Sequence, residues 1–307
     1  MEIQLKKHMN GELVIIDKNG KEHFRKTTRN STFRFNKTLY FYNKEQNKIE
    51  LFTGTAANIH SPGTVVKSEE VVSEFDINER FDFLGNFVNM VIENITASLL
   101  VTGEGGLGKT HTVREKLKEA GLEEDIDYKI IKGYSTPKAL YATLYENSDS
   151  LVIFDDCDSV LKDPNSLNLL KGALDSYDKR TISWLSKGFI SDELPNSFDF
   201  TGRVIFISNL SLTKVDGAVK SRTISVDLTM TLEDKIKRMR SIISEIVPVY
   251  SMNIKNKVLD FLDKNKENAK EFNMRTLEKS IKVFNYYVEQ GNEEEGYNAI
   301  KYLLVNV

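Results

Sequence analysis

Cysteine is nearly absent from this chain of 307 residues, in which Cys157 is the single one. One cysteine cannot form an intrachain disulfide, and no Cys/His cluster has the spacing of a zinc site. Long apolar runs are also missing, and the N-terminus lacks a charged stub followed by an apolar stretch, so we expect no signal peptide and no membrane span. These absences favour a reducing, cytoplasmic compartment.

An excess of charge of either sign is lacking too. Lys and Arg number 42 against 45 Asp and Glu, which gives a net charge of −3. Overall charge therefore indicates neither nucleic acid nor an acidic membrane as a partner, and any such contact must be local. A content of 40% hydrophobic and 28% charged residues excludes a disordered, collagenous or coiled-coil chain. The length predicts one large domain with an appendage, or two to three modules.

Residues 1–60 have the pattern of a small β-rich module. The segments Glu12–Ile16, Thr32–Phe35 and Thr38–Tyr42 have the composition of short strands, and Asn19-Gly20 has that of a hairpin turn. Seven basic residues and one acid lie between positions 18 and 37. With the neighbouring phenylalanines they are typical of a nucleic-acid surface, and equally of a half-buried sheet with a solvated back. Residues 61–75 read as a linker.

Strands and helices alternate from residue 76 to residue 230. This alternation predicts a parallel sheet with helices on both faces, and thus an α/β domain. After residue 230 the strand pattern ends, and four amphipathic helices predict a separate helical module over 231–307. The five expected strands are Ala97–Val101, Tyr128–Lys132, Leu151–Phe154, Arg203–Ile207 and Thr223–Leu228.

A glycine-rich turn at residues 103–110 follows the first of these strands and precedes a helix. Its spacing, G-x-x-x-x-G-K-[ST], is that of a P-loop, in which backbone N–H groups and a helix N-terminus face phosphates. Lys109 would reach the β- and γ-phosphate oxygens, and the Thr110 hydroxyl would hold Mg²⁺. The predicted nucleotide site consists of Gly103, Glu104, Gly105, Gly106, Leu107, Gly108, Lys109 and Thr110.

Two carboxylates end the third strand, in the pattern of a Walker B motif. A P-loop needs a second Mg²⁺ anchor on a neighbouring strand, and Asp155 is the candidate for it. Asp156 would orient or activate water. Taken alone, acidic residues after a strand also commonly cap a turn.

In combination these motifs resemble the AAA+ ATPases over about residues 76–290. The segment Arg203–Asn209 resembles the family's sensor-1 strand, so the resemblance implies that Asn209 helps to place the attacking water. Arg222 would be the arginine finger that acts on a neighbouring subunit's nucleotide, and Arg275 the sensor-2 arginine that contacts the γ-phosphate of its own chain. The helical module would be the lid, and the subunits would form a ring, expected to be a hexamer. Each of these three residues also has an ordinary interpretation, as a turn residue or a surface charge.

One residue departs from the family pattern, since Walker B usually ends in Asp-Glu and this chain has Asp156 in second place. The aspartate carboxylate lies about 1.5 Å nearer the backbone, so either the backbone compensates or turnover is slow. We expect compensation.

Two further segments could contact a substrate. Tyr134 follows the second strand where the family often has a central-pore loop, although a tyrosine there can equally pack on the next helix. The segments Thr181–Leu185 and Ser197–Phe200 resemble the hairpin that several nucleic-acid-translocating AAA+ groups insert before sensor 1; its Trp184 is more typical of a core residue.

The sequence thus predicts an Mg²⁺-dependent ATPase that forms a ring and moves or remodels nucleic acid or protein. An alternative is a slow-turnover, ATP-gated switch or loader that assembles on nucleotide and delivers a partner.

Overall fold

The computed structural model describes residues 73–175, 179–185 and 194–306, together with the backbone of six strands within residues 3–51. The chain divides into two compact units, Met1–Val72 and Ser73–Val307. Residues 61–72 of the predicted linker and the turn at Asn19-Gly20 lie outside the described residues, as do the side chains of the basic N-terminal stretch. The three-part assignment of domains stays a prediction.

The N-terminal unit contains two three-stranded antiparallel sheets, ordered β1-β2-β3 and β4-β5-β6. The sequence pattern identified β2, β4 and β5, and overlooked the other three strands. Their bounds are β1 Ile3–Met9, β2 Glu12–Asp17, β3 Glu22–Lys26, β4 Ser31–Phe35, β5 Thr38–Asn43 and β6 Lys48–Leu51.

The second unit contains a five-stranded sheet whose pairings are all parallel, which confirms the α/β class. Each strand lies within a residue or two of its predicted position. The bounds are β7 Ser98–Thr102, β8 Tyr128–Lys132, β9 Leu151–Asp155, β12 Arg203–Ile207 and β13 Ile224–Asp227. The short antiparallel hairpin of β10 Thr181–Ser183 and β11 Ser197–Asp199 lies outside this sheet.

Helices cover both faces of this sheet, because alternate strand residues point to opposite sides. Leu99 and Val101 of β7 pack into one apolar core with the first two helices, whereas Leu100 packs into a second core with the next three. The helices are α1 Ile77–Ile92, α2 Lys109–Glu119, α3 Pro137–Glu146, α4 Pro164–Ala173 and α5 Gly217–Lys220.

The last four helices enclose an apolar core of their own. They are α6 Leu232–Ile242, α7 Met252–Asn265, α8 Met274–Glu289 and α9 Glu293–Asn306. Every helix among residues 73–306, as far as these are described, is too short or too polar to cross a lipid bilayer.

Polar contacts attach α6 to α1. The Arg80 guanidinium donates to the Thr229 carbonyl at 2.7 Å and pairs with Asp234 at 3.3 Å. The Arg238 guanidinium lies 4.0 Å from the centre of the Phe81 ring. The helical module is therefore anchored to α1.

The sheet order is β13-β7-β12-β9-β8. In this order β12, which ends beside Asn209, lies between the strand before the P-loop and the strand that ends in Asp155. The carboxyl ends of parallel strands meet at one edge of the sheet. The P-loop, the two aspartates and Asn209 therefore come from three adjacent strands at the same edge.

Candidate functional site

The P-loop lysine is the centre of the site. Lys109 is only 4% exposed, and its Nζ donates to the carbonyls of Gly103 and Glu104 at 2.6 and 2.7 Å and to Asn209 Oδ1 at 2.9 Å. Burial lowers the pKa of the Lys109 ammonium to about 8, although the charge of nearby Asp156 opposes this shift. A buried cation with carbonyl partners suits an anionic ligand, whose oxygens can replace those carbonyls.

Asn209 connects the lysine to the second Walker B carboxylate. While its Oδ1 accepts from Lys109, its Nδ2 donates to Asp156 Oδ1. Asp156 has a φ of +55°, which lies in the left-handed region, and its backbone N–H donates to the Ile207 carbonyl at 3.0 Å. The backbone thus turns sharply at Asp156 and directs the shorter carboxylate towards Asn209.

The Thr110 hydroxyl and Asp155 form a second pair, joined by a hydrogen bond of 2.8 Å to Asp155 Oδ1. Asp155 is 4% exposed. Within the described part of the chain, no group of three His, Cys, Asp or Glu residues could hold a metal by itself. A hydroxyl and one carboxylate fit Mg²⁺, which keeps waters and shares its shell with phosphates. The donor set therefore fits Mg²⁺ bound together with a nucleotide.

The sequence analysis overlooked Lys132 as a neighbour of this pair. Its Nζ lies 3.1 Å from Asp155 Oδ2, the oxygen that Thr110 does not contact. Lys132 ends β8 and stands opposite Asp155 in the strand register. Correct strand pairing, rather than any local motif, would have revealed this ion pair.

Ser208 and Asp158 stabilise the turn that follows β12 at the edge of the site. The Ser208 hydroxyl donates to Asp158 Oδ1 at 2.6 Å and accepts from the Leu210 backbone N–H at 3.0 Å. These bonds hold the turn that presents Asn209. Cys157 is buried beside them, and burial raises the pKa of its thiol, as expected of a structural cysteine.

The two predicted arginines, Arg222 and Arg275, lie in different parts of the structure. Arg275 is exposed in the first turn of α8, and its charge lowers the pKa of Lys109, so it lies within electrostatic reach of the P-loop. Arg222 lies at the opposite, amino edge of the sheet, where its carbonyl accepts from the Ser98 hydroxyl at 2.9 Å and its Nη1 donates to the Ala218 carbonyl at 3.1 Å. The structure therefore does not bring Arg222 to the nucleotide site of its own chain.

The two segments that could contact a substrate differ in the exposure of their aromatic residues. The Tyr134 side chain is 79% exposed after a left-handed Gly133, so it does not pack on α3. Trp184 instead packs against the Tyr141 ring at 6.0 Å between centroids, which is a core role. Residues 186–193, between the two strands of the hairpin, lie outside the described residues.

Gly106 brings the helical module into contact with the P-loop. Its carbonyl accepts from the Met274 backbone N–H at 3.0 Å. A Cβ at this position would lie 2.9 Å from Asn273 Cγ, and the φ of Gly106 is +74°. Close approach and a left-handed backbone both require glycine here.

Replacement of Gly106 by alanine should therefore displace Asn273 and weaken the predicted ATP binding at least tenfold. Gly121 is a matched control, because its φ is +72° and nothing lies within 4 Å of its added Cβ. We expect a loss in unfolding free energy of about 1 kcal/mol for Gly121→Ala and about 2–4 kcal/mol for Gly106→Ala. Chemical denaturation and ATP titration of both variants measure the effects. Equal behaviour of the two would show that the contact with Asn273 is unimportant.

Comparison with known proteins finds no matching family model. The chain is 31% identical over 190 residues to an uncharacterised 36.7 kDa protein from the nrdC-mobD intergenic region of Enterobacteria phage T4. That match covers 56% of this chain and 58% of the phage protein, so the chain spans less than two thirds of this relative.

Two solved structures resemble this chain with a TM-score of 0.46. One is the Thermotoga maritima RuvB Holliday junction branch migration motor, at 12% identity, covering 74% of this chain and 68% of that one. The other is an arginine-to-alanine variant of the same RuvB, at 11% identity, covering 73% and 67%.

Proposed function

We propose that this protein is an Mg²⁺-dependent P-loop ATPase of the AAA+ type that forms a ring and moves or remodels a macromolecule. One observation carries the proposal. Lys109, Asn209 and Asp156 form a continuous hydrogen-bonded chain at the edge of the sheet where Thr110 and Asp155 also meet. A cation, an amide, a hydroxyl and two carboxylates in this arrangement suit phosphoryl transfer to water.

The P-loop would bind the nucleotide. The backbone N–H groups of the loop and of the first turn of α2 have no partners within the helix, so they are available to phosphate oxygens. Lys109 adds a charge, and Thr110 with Asp155 would hold the metal. Mg²⁺, when bound, neutralises phosphate charge and fixes the geometry of the triphosphate.

Hydrolysis would depend on Asp156 and Asn209. The Asp156 carboxylate accepts a proton from water or orients it, and Asn209 keeps that carboxylate in place. Arg275 would stabilise the γ-phosphate in the same chain. Arg222 lies at the amino edge of the sheet, so in the proposed ring it would act on the nucleotide of another subunit.

A slower switch or loader is the second candidate, and Asp156 favours it. The carboxylate is shorter than the usual glutamate, and one of its oxygens already accepts a hydrogen bond from Asn209, which leaves it less free to reach a water. In that case the protein would bind ATP, assemble and release a partner with little turnover.

Steady-state phosphate release from ATP tests the proposal. We expect turnover with Mg²⁺, its loss when EDTA removes the metal, and assembly on ATP visible by light scattering. Added single-stranded DNA, duplex DNA or unfolded protein should stimulate a motor and leave a switch unaffected. Absence of both ATP binding and hydrolysis would contradict the proposal.

A further inference from the structure

An acidic residue stands inside the phosphate-binding loop. Glu104 is the second residue of the P-loop, and its side chain is 60% exposed. A carboxylate at this position repels the phosphates that the loop is proposed to bind. Its charge therefore needs compensation if the loop is to bind a triphosphate tightly.

The compensating cation comes from the helical module. Lys235 Nζ lies 2.6 Å from Glu104 Oε2, and the Lys235 side chain is only 10% exposed. Glu104 and Lys235 are 131 residues apart in the sequence. The ammonium end of the pair is buried and the carboxylate end is largely exposed, so solvent screens part of their attraction.

The position of α6 decides whether this pair can form. Lys235 lies in the first turns of α6, next to Asp234, which pairs with Arg80 of α1. The helical module contacts the P-loop a second time through the bond from Met274 N–H to the Gly106 carbonyl. Movement of the module away from the loop would therefore leave Glu104 without its cation.

We propose that Lys235 is a positioning residue that sets the charge of the P-loop according to the position of the helical module. With the module docked, the Glu104–Lys235 pair is neutral and the loop accepts a triphosphate. With the module withdrawn, the uncompensated carboxylate lowers nucleotide affinity. By linkage, bound nucleotide favours the docked module to the same extent. This inference rests on the proposed nucleotide binding.

A charge series in the full-length protein tests the idea. The dissociation constant of a fluorescent ATP analogue is measured for wild type, Glu104→Gln, Lys235→Met and the double variant. Methionine keeps most of the buried stem of Lys235 while removing its charge. Lys257→Met is the matched control, because Lys257 also lies in the helical module but pairs with Glu293 of the same module, so its loss leaves the contacts with α1 and with the P-loop intact.

Affinity should follow the net charge of the pair. Glu104→Gln binds most tightly, wild type and the double variant are similar, and Lys235→Met binds most weakly, with steps of roughly three- to tenfold. The steps should shrink in high salt, because mobile ions screen partly exposed charges. Lys257→Met should bind like wild type.

If the contact between Glu104 and Lys235 only held the module in place, without a role for charge, the order of affinities would differ. Both single variants would then bind more weakly and the double variant would show no recovery, which overturns the inference. Since Glu104 is largely exposed, Glu104→Gln folds even if Lys235→Met does not, and its failure to tighten binding is equally decisive. If wild type itself binds no ATP, the proposed function fails and this inference with it. If wild type binds and the series is flat, only this inference fails.

Discussion

Lys109→Met should reduce ATP affinity by about 100-fold or more. The buried ammonium is the strongest fixed positive charge at the site, and loss of one partner of a desolvated charge pair costs about 2–5 kcal/mol of binding free energy. Isothermal titration with ATP and Mg²⁺ measures the effect. Lys118→Met is the matched control, because Lys118 lies on the same helix with an exposed side chain. Equal affinities of the two variants would remove Lys109 from the site.

A comparison of wild type with Lys109→Met reports the lowered pKa of Lys109. Its pKa is about 8 in the folded protein against an ordinary 10.5. The unfolded chain therefore binds more protons between pH 8 and pH 10.5, so the stability of wild type rises relative to Lys109→Met as the pH increases through this range. The change in the difference of unfolding free energies is about 3 kcal/mol. Denaturation without metal or nucleotide at several pH values measures it; a constant difference would contradict the burial argument.

Asp156→Asn should slow phosphate release by about 100-fold or more, which is the usual contribution of a positioned general base. The amide has the shape of the carboxylate but cannot accept a proton from water. ATP affinity should stay at least as high as in wild type, because a negative charge near the phosphates is removed. Single-turnover hydrolysis together with ATP titration separates the two effects.

An unchanged rate would remove Asp156 from the mechanism and favour the interpretation as a slow switch. Asn209→Ala supplies the companion measurement. It removes the hydrogen bonds to both Lys109 and Asp156, so it should lower turnover too and also weaken ATP binding. A variant that lost binding alone would assign Asn209 to the lysine and not to the carboxylate.

Local patterns in the sequence predicted the elements of the second unit well. The apolar strands and the glycine turn are decided by residues close together in the chain. The P-loop, Asp155 and Asp156 were recognised because their spacing and the strands that carry them are local signals.

Contacts between distant residues escaped prediction. Lys132 reaches Asp155 only because β8 and β9 are neighbours, and Lys235 reaches Glu104 only because α6 docks beside the loop. Both lysines look like ordinary surface charges in the sequence. The roles of Arg222 and Arg275 stay predictions, because each depends on a ligand or a second subunit.

The bond between the Met274 N–H and the Gly106 carbonyl has an evolutionary consequence. Both groups belong to the main chain, so most substitutions of residue 274 change the packing but keep this hydrogen bond. Proline is the one standard residue without the donor, and the first position of a helix is where proline is best tolerated. A single codon change could therefore uncouple the two parts of the nucleotide site while leaving α8 folded.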